Sequence, residues 1–136
     1  MSSDAAPGPR TVDLPDGAGA AAVLAAVGAA RLADPDRPLD LVGYGSSGIA
    51  VLSLVLHQRR LGLVIGSATC INAVTDHDPI SDAPLAPPTR PPHQPTRPTQ
   101  VRIVTAATAA ARSWAEHTAA AWRAAGWDVT LQESSG

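Results

Sequence analysis

The sequence predicts an α/β fold: a mainly parallel sheet of about five strands with helices on both faces. Short apolar runs at 39–43, 61–66, 100–105 and 127–132 alternate with longer segments, 18–32, 49–58 and 110–125, whose composition suits helices. Residues 39–66 hold strand, helix and strand in close succession, the βαβ unit, and Gly or Pro punctuates nearly every junction.

Residues 1–10 carry Ser, Pro, Gly and Asp without periodicity and are expected to be a disordered leader; residues 11–136 form one domain. Thr11-Val12-Asp13-Leu14 reads as a short strand, stopped by Pro15 and turned at Gly17. In 18–32, Val23, Leu24, Val27 and Leu32 recur at helical spacing and predict the side that packs on the sheet. Asp34-Pro35 and Arg37-Pro38 end that helix, because the residue before proline is pushed out of the helical region. The run at 39–43 is a central parallel strand, 49–58 a helix buried through Val51, Leu52, Val55 and Leu56, and 61–66 a third strand. Eight of the 13 prolines crowd into 78–98, which excludes a helix or central strand and predicts an exposed connection of polyproline II character. A lid or a partner-binding strip is the functional alternative for that stretch. The strand at 100–105 follows, then a helix at 110–125 with Trp114, Thr118, Ala121, Trp122 and Ala125 on one face, a stop at Gly126 and a last strand.

A net charge of -2 with interspersed signs provides no basic field for nucleic acid. All 10 cations are Arg, and abundant Ala without Phe or Lys suggests GC-rich, actinobacterial coding. Cys70 is the only cysteine, so no internal disulfide forms, and a small buried hydrophobe in a cytosolic setting is expected. The first residues lack a signal-peptide pattern and no apolar run is long enough for a membrane span, so the expectation is a soluble, cytoplasmic protein.

Chemistry concentrates at Gly43-Tyr44-Gly45-Ser46-Ser47-Gly48, between the strand at 39–43 and the following helix. Small residues there permit a sharp bend, and N–H groups at a helix start suit an anion or an acyl oxygen. These six residues are the candidate ligand-binding set, and Ser46 and Ser47 the candidate catalytic residues. Taken with Val12-Asp13-Leu14-Pro15, Leu63-Val64-Ile65-Gly66-Ser67-Ala68, the Pro-rich stretch and Ala124-Ala125-Gly126-Trp127-Asp128-Val129-Thr130-Leu131-Gln132-Glu133, the turn resembles the nucleophile elbow of the α/β-hydrolase superfamily, esterases and thioesterases in particular. The resemblance spans most of the chain and implies a partial hydrolase-like core. It places Gly45 where the family has its nucleophile and the Ser46 N–H where the family has an oxyanion donor. No carboxylate occupies 105–111 or 66–68, and no histidine follows Gln132, so the implied protein is a truncated, degenerate relative without a complete triad. It would bind a small acyl or anionic ligand, or a partner, with no cofactor and no metal. The alternative is a hydrolase completed by a second copy, a partner subunit or an upstream segment.

Two further readings use the same turn for phosphate. Gly43-x-Gly45-x-x-Gly48 has dinucleotide-binding spacing, but the first acid beyond it is Asp76, too far on to hold a ribose. The turn together with 101–113 also resembles type I phosphoribosyltransferases, with Thr105, Ala106 and 108–112 replacing the family's acid-led loop and Ser113 retained. Elsewhere, Asp76-His77-Asp78 reads as a solvated loop and His57 and His117 as polar edges of helices; His93 lies in the proline strip. Arg112 and Glu116 stand one helical turn apart and are expected to pair, and Trp114, Trp122 and Trp127 supply core bulk in a chain without Phe.

Overall fold

The computed structural model describes residues 10–73, 76–90, 99–106 and 108–133. The expected leader, residues 91–98 of the Pro-rich stretch and with them His93 lie outside the described residues, except that Arg10 already belongs to the first strand. In chain order the elements are β1 (Arg10–Leu14), α1 (Ala20–Ala33), β2 (Leu39–Tyr44), α2 (Ser46–His57), β3 (Ile65–Ile71), a small antiparallel hairpin of β4 (His77–Asp78) and β5 (Ala83–Pro84), β6 (Gln100–Thr105), α3 (Ala109–Ala125) and β7 (Asp128–Glu133). The main sheet has five strands in the order β1-β2-β3-β6-β7, every pair parallel. Among the described residues no helix is long and apolar enough to cross a membrane.

The register explains how the sheet divides. Val12, Leu41, Ala68, Val101 and Val129 align as one row across the five strands, and all are buried. Leu14, Gly43, Cys70, Ile103 and Leu131 form the next row on that face. Against these rows pack Val23 and Val27 of α1, the apolar residues of α2, and Ala115, Ala119 and Trp122 of α3, in one continuous core. The other face carries Thr11, Asp40, Ser67, Gln100 and Asp128 in one row and Asp13, Val42, Thr69, Arg102 and Thr130 in the next. That face holds a shallow groove of about 590 Å³ along Asp40, Val42, Ser67, Thr69 and Arg102.

The expectation of helices on both faces is thus corrected: all three lie on one. One core cluster joins residues of α1, α2 and α3 to a single face, as a strand order that never reverses requires when every crossover has the same hand. The same fact moves β3. The apolar run at 61–66 is turn and irregular chain through Val64, with Leu61 and Val64 exposed, and the strand itself is Ile65–Ile71, where Ser67 and Thr69 face outward. A parallel strand covered on one side alternates like an antiparallel one. On α1 the buried side is Val23, Val27 and Ala30, while Leu24 and Leu32 are exposed.

α2 is buried from Ser47 through Val55, as befits a helix apolar nearly all round, with the β4 and β5 hairpin region among its cover. Its C-terminus leads into a buried polar knot: Gln58 donates to the Val55 carbonyl (3.1 Å) and to Thr99 Oγ1 (3.0 Å) and accepts from the Ile65 N–H (3.0 Å). Thr99 in turn donates to the Ile65 carbonyl at 2.7 Å. On α3 the buried stripe is Ala111, Ala115, Ala119 and Trp122, so Trp114, Thr118 and Ala121 stand on its flank rather than at its centre. Trp122 and Trp127 meet with ring centroids 5.1 Å apart, the core bulk expected of them. Gly126 ends α3 in the left-handed region, at φ 107.

Candidate functional site at the carboxyl edge of the sheet

β2 passes into α2 through one residue, Gly45, at φ 58 and ψ -124. A side chain is strained there, so glycine is the residue that lets the strand turn directly into the helix. Crowding closes the flanks: a Cβ on Gly43 would overlap the Ser47 carbonyl, and one on Gly48 would stand 2.6 Å from Cys70 Sγ. Helix and central strands therefore approach at backbone distance, which the small residues at 43, 47 and 48 permit. Ser46 is the first residue of α2, and the cap position is Gly45. Tyr44 is exposed beside the turn.

The loop after β1 closes over this turn. Asp16 Oδ1 accepts from the Ser46 N–H at 3.0 Å and from the Ser46 hydroxyl at 3.3 Å, and the Gly17 N–H donates to Ser46 Oγ at 3.2 Å. Ser47, fully buried, donates its hydroxyl to the Pro15 carbonyl at 2.5 Å. Each hydroxyl fastens the loop after β1 to the first turn of α2. The carboxylate of Asp16 meets the positive end of α2, the place where an anion is most stabilised on a helix. Asp16 was missed in the sequence reading, although β1 supplies a signal. Leu14 pairs with Gly43, so an acid two residues past Leu14 must run beside the turn two residues past Gly43. Space above Gly45 is filled accordingly, since a Cβ there would overlap the Asp16 carboxylate.

Activation of a serine needs a base of suitable strength in contact with it. Ser46 touches a solvent-exposed carboxylate that already accepts from the Ser46 N–H, a poor base for a hydroxyl. The described histidines are engaged or placed elsewhere: His57 Nδ1 lies 2.9 Å from the Ser53 carbonyl, His77 Nε2 lies 3.3 Å from Asp82, and His117 is exposed on α3. Cys70 behind the turn is buried, which pushes its thiol up to about 12 despite a backbone hydrogen bond at Ala73 that acts the other way.

Residues singled out on the other strands do not join this site. Asp76, His77 and Asp78 diverge: Asp76 accepts from the Trp114 indole at 3.2 Å, His77 faces Asp82, and buried Asp78 holds its own turn through the Ile80 N–H and Ser81 hydroxyl. Among the described residues no group of three or more His, Cys, Asp or Glu side chains could hold a metal ion. At the end of β6, Thr105 is buried and donates to the Ala106 carbonyl, and Thr108 caps α3 by accepting from the Ala111 N–H. Arg112 pairs with Glu133 across to β7 at 2.7 Å, in place of the expected Glu116, because the end of β7 brings a better-placed carboxylate. Ser113 stands on the outer flank of α3 with Trp114. The sheet order contains no reversal, and hence no switch-point crevice of the kind doubly wound folds use for nucleotides. No family model matches the chain, and no curated protein matches its sequence.

Proposed function

We propose that this chain is a non-catalytic relative of esterase- or thioesterase-type α/β-hydrolases that keeps the elbow as a binding turn for a small acyl or carboxylate ligand. The observation that carries this reading is Gly45, a single residue at φ 58 and ψ -124 joining a central parallel strand to a buried helix, with glycine where the family would carry its nucleophile. That no histidine among the described residues contacts Ser46 or Ser47 supports the non-catalytic part. Asp16 supports the ligand part: it is a resident carboxylate on the Ser46 N–H, the position a ligand oxygen would take. A ligand enters by displacing an exposed side chain, at little cost. The phosphate-binding alternatives draw less support, because the strand order lacks a switch point and Thr105 and Thr108 are committed to local hydrogen bonds. A partner subunit draws some support from the polar, uncovered face of the sheet, since all-parallel sheets are ordinarily covered on both sides.

The test is an amide-resonance titration with butyrate on the wild type and on Asp16→Ala, alongside p-nitrophenyl butyrate hydrolysis. Butyrate should shift residues 45–48 weakly in the wild type and about tenfold more tightly in Asp16→Ala, where the N–H is freed and a like charge removed. Neither protein should hydrolyse the ester above buffer. Ester turnover lost in Ser46→Ala would overturn the non-catalytic reading, and an Asp16→Ala protein that binds no butyrate at the turn would overturn the ligand reading.

A further inference from the structure

On the far side of the core, between the outer flank of α3 and residues 85–88, lies a groove of about 520 Å³. Small-molecule sites fall in the ~300–1,000 Å³ range. None of its lining residues belongs to the turn at 43–48, so it is a separate place on the molecule. One wall is Trp114 with the edge of buried Trp122; the other is Leu85, Pro87 and Pro88. Two indoles tie down the proline wall: Trp114 Nε1–H donates to Asp76 Oδ1 at 3.2 Å before it, and Trp127 Nε1–H donates to the Thr89 carbonyl at 2.7 Å after it. The Leu85 N–H bonds to the Asp76 carbonyl at 2.7 Å, and the Leu85 side chain packs on the core. Both walls are therefore held, one by a helix and one by latches.

Two titratable groups line the groove, the Asp76 carboxylate and the His117 imidazole; no lining residue is Arg, and the chain has no Lys. The two arginines of α3 nearest to it are drawn toward β7, Arg112 to Glu133 and Arg123 to the Val129 carbonyl. A carboxylate offers about four acceptor positions, and the Trp114 indole takes one at Asp76 while holding the group in place. A fixed carboxylate pairs with an ammonium group, and the indole beside it offers apolar surface to the carbon body that carries the charge. Proline and leucine opposite provide an apolar surface for the body of such a ligand.

We propose that this groove binds a small organic cation, its ammonium group on Asp76 and its apolar body between Trp114 and the Pro87-Pro88 wall. The site is independent of the turn at Gly45, and either can fail without the other. Benzylammonium, benzyl alcohol and benzoate serve as probes, titrated into the full chain while the indole N–H resonances of its three tryptophans are followed. Benzylammonium should saturate the Trp114 resonance with a Kd about fivefold below that of benzyl alcohol, the size expected for an exposed charge pair, and benzoate should bind weakest. Asp76→Asn keeps an acceptor for the Trp114 indole and so keeps the wall, but should bring benzylammonium down to the affinity of the alcohol. A Trp114 resonance that does not saturate, benzoate binding as tight as benzylammonium, or an Asp76→Asn protein that binds benzylammonium as well as the wild type would each overturn the proposal.

Discussion

The two faces of the sheet are built from the same strands and obey opposite rules. On one, a row of Val12, Leu41, Ala68, Val101 and Val129 lies under three helices; on the other, one residue along, Thr11, Asp40, Ser67, Gln100 and Asp128 face outward. Parallel strands are usually written as unbroken apolar runs because helices cover both sides. Here the order of the strands puts every helix on one side, so the period of two returns to the sequence. Strand order, a property of the whole chain, thus decides the residue pattern of each strand.

The strongest way to break that comparison is to exchange the rules. Ile103→Ala removes a nearly inaccessible side chain from the core and should cost about 2–5 kcal/mol in urea unfolding. Thr130→Ala, outward-facing and exposed, should change stability by less than about 0.5 kcal/mol. Equal costs would mean that the outer face is buried by something in solution.

A second test sharpens the boundary between the faces, where the turn sits. Gly45→Ser would place a hydroxyl at the turn, yet it should destabilise by about 1–3 kcal/mol, from positive φ and from overlap with the Asp16 carboxylate. Adding Asp16→Gly should recover part of that loss, and a double-mutant cycle measures the coupling. No coupling would mean that Asp16 does not stand over Gly45.

The third and smallest effect reads the inner face through its thiol. Because burial raises Cys70 from 9.0 to about 12, the unfolded chain ionises first as pH rises. Its contribution to stability is whole below pH 9.0 and declines up to about 12. At pH 10 the loss should be about 1 kcal/mol relative to neutral pH and absent in Cys70→Ala. A thiol reagent should label Cys70 at pH 8 only as fast as the chain opens. Rapid labelling of the native protein would place this side chain on the wrong face.

Most elements were legible in the sequence because they depend on local signals. Gln100–Thr105 was readable to the residue, as was the helix stop at Gly126, where only backbone freedom matters. What failed depended on neighbours. Leu24 and Leu32 have the right spacing for a buried stripe, but no partner element lies over them and the stripe rotates to Val23, Val27 and Ala30. The apolar run at 61–66 predicts β3 too early because the strand's own residues, Ser67 and Thr69, look unlike a central parallel strand until the outer face is known to be bare. At the turn, the glycines and serines were visible as a motif, whereas Asp16 is distant in sequence and enters only when β1 is known to lie beside β2.

The knot of Gln58, Thr99 and Ile65 has a consequence for how the chain assembles. Neighbours in the sheet are also neighbours in sequence except at one place, between β3 and β6, where the chain makes its long proline-rich excursion. Closing that excursion is the slow, entropically costly event, since non-local pairing must wait for the loop to return. Thr99 is the last residue before β6, and its hydroxyl reaches both the Gln58 side chain and the first carbonyl of β3. The knot therefore acts as a clasp at the mouth of the loop, fixing where β6 begins regardless of what lies between. With the ends clasped, added length in the excursion costs only as the logarithm of the loop, provided that the hairpin over α2 and the 85–89 stretch beside α3 keep their contacts.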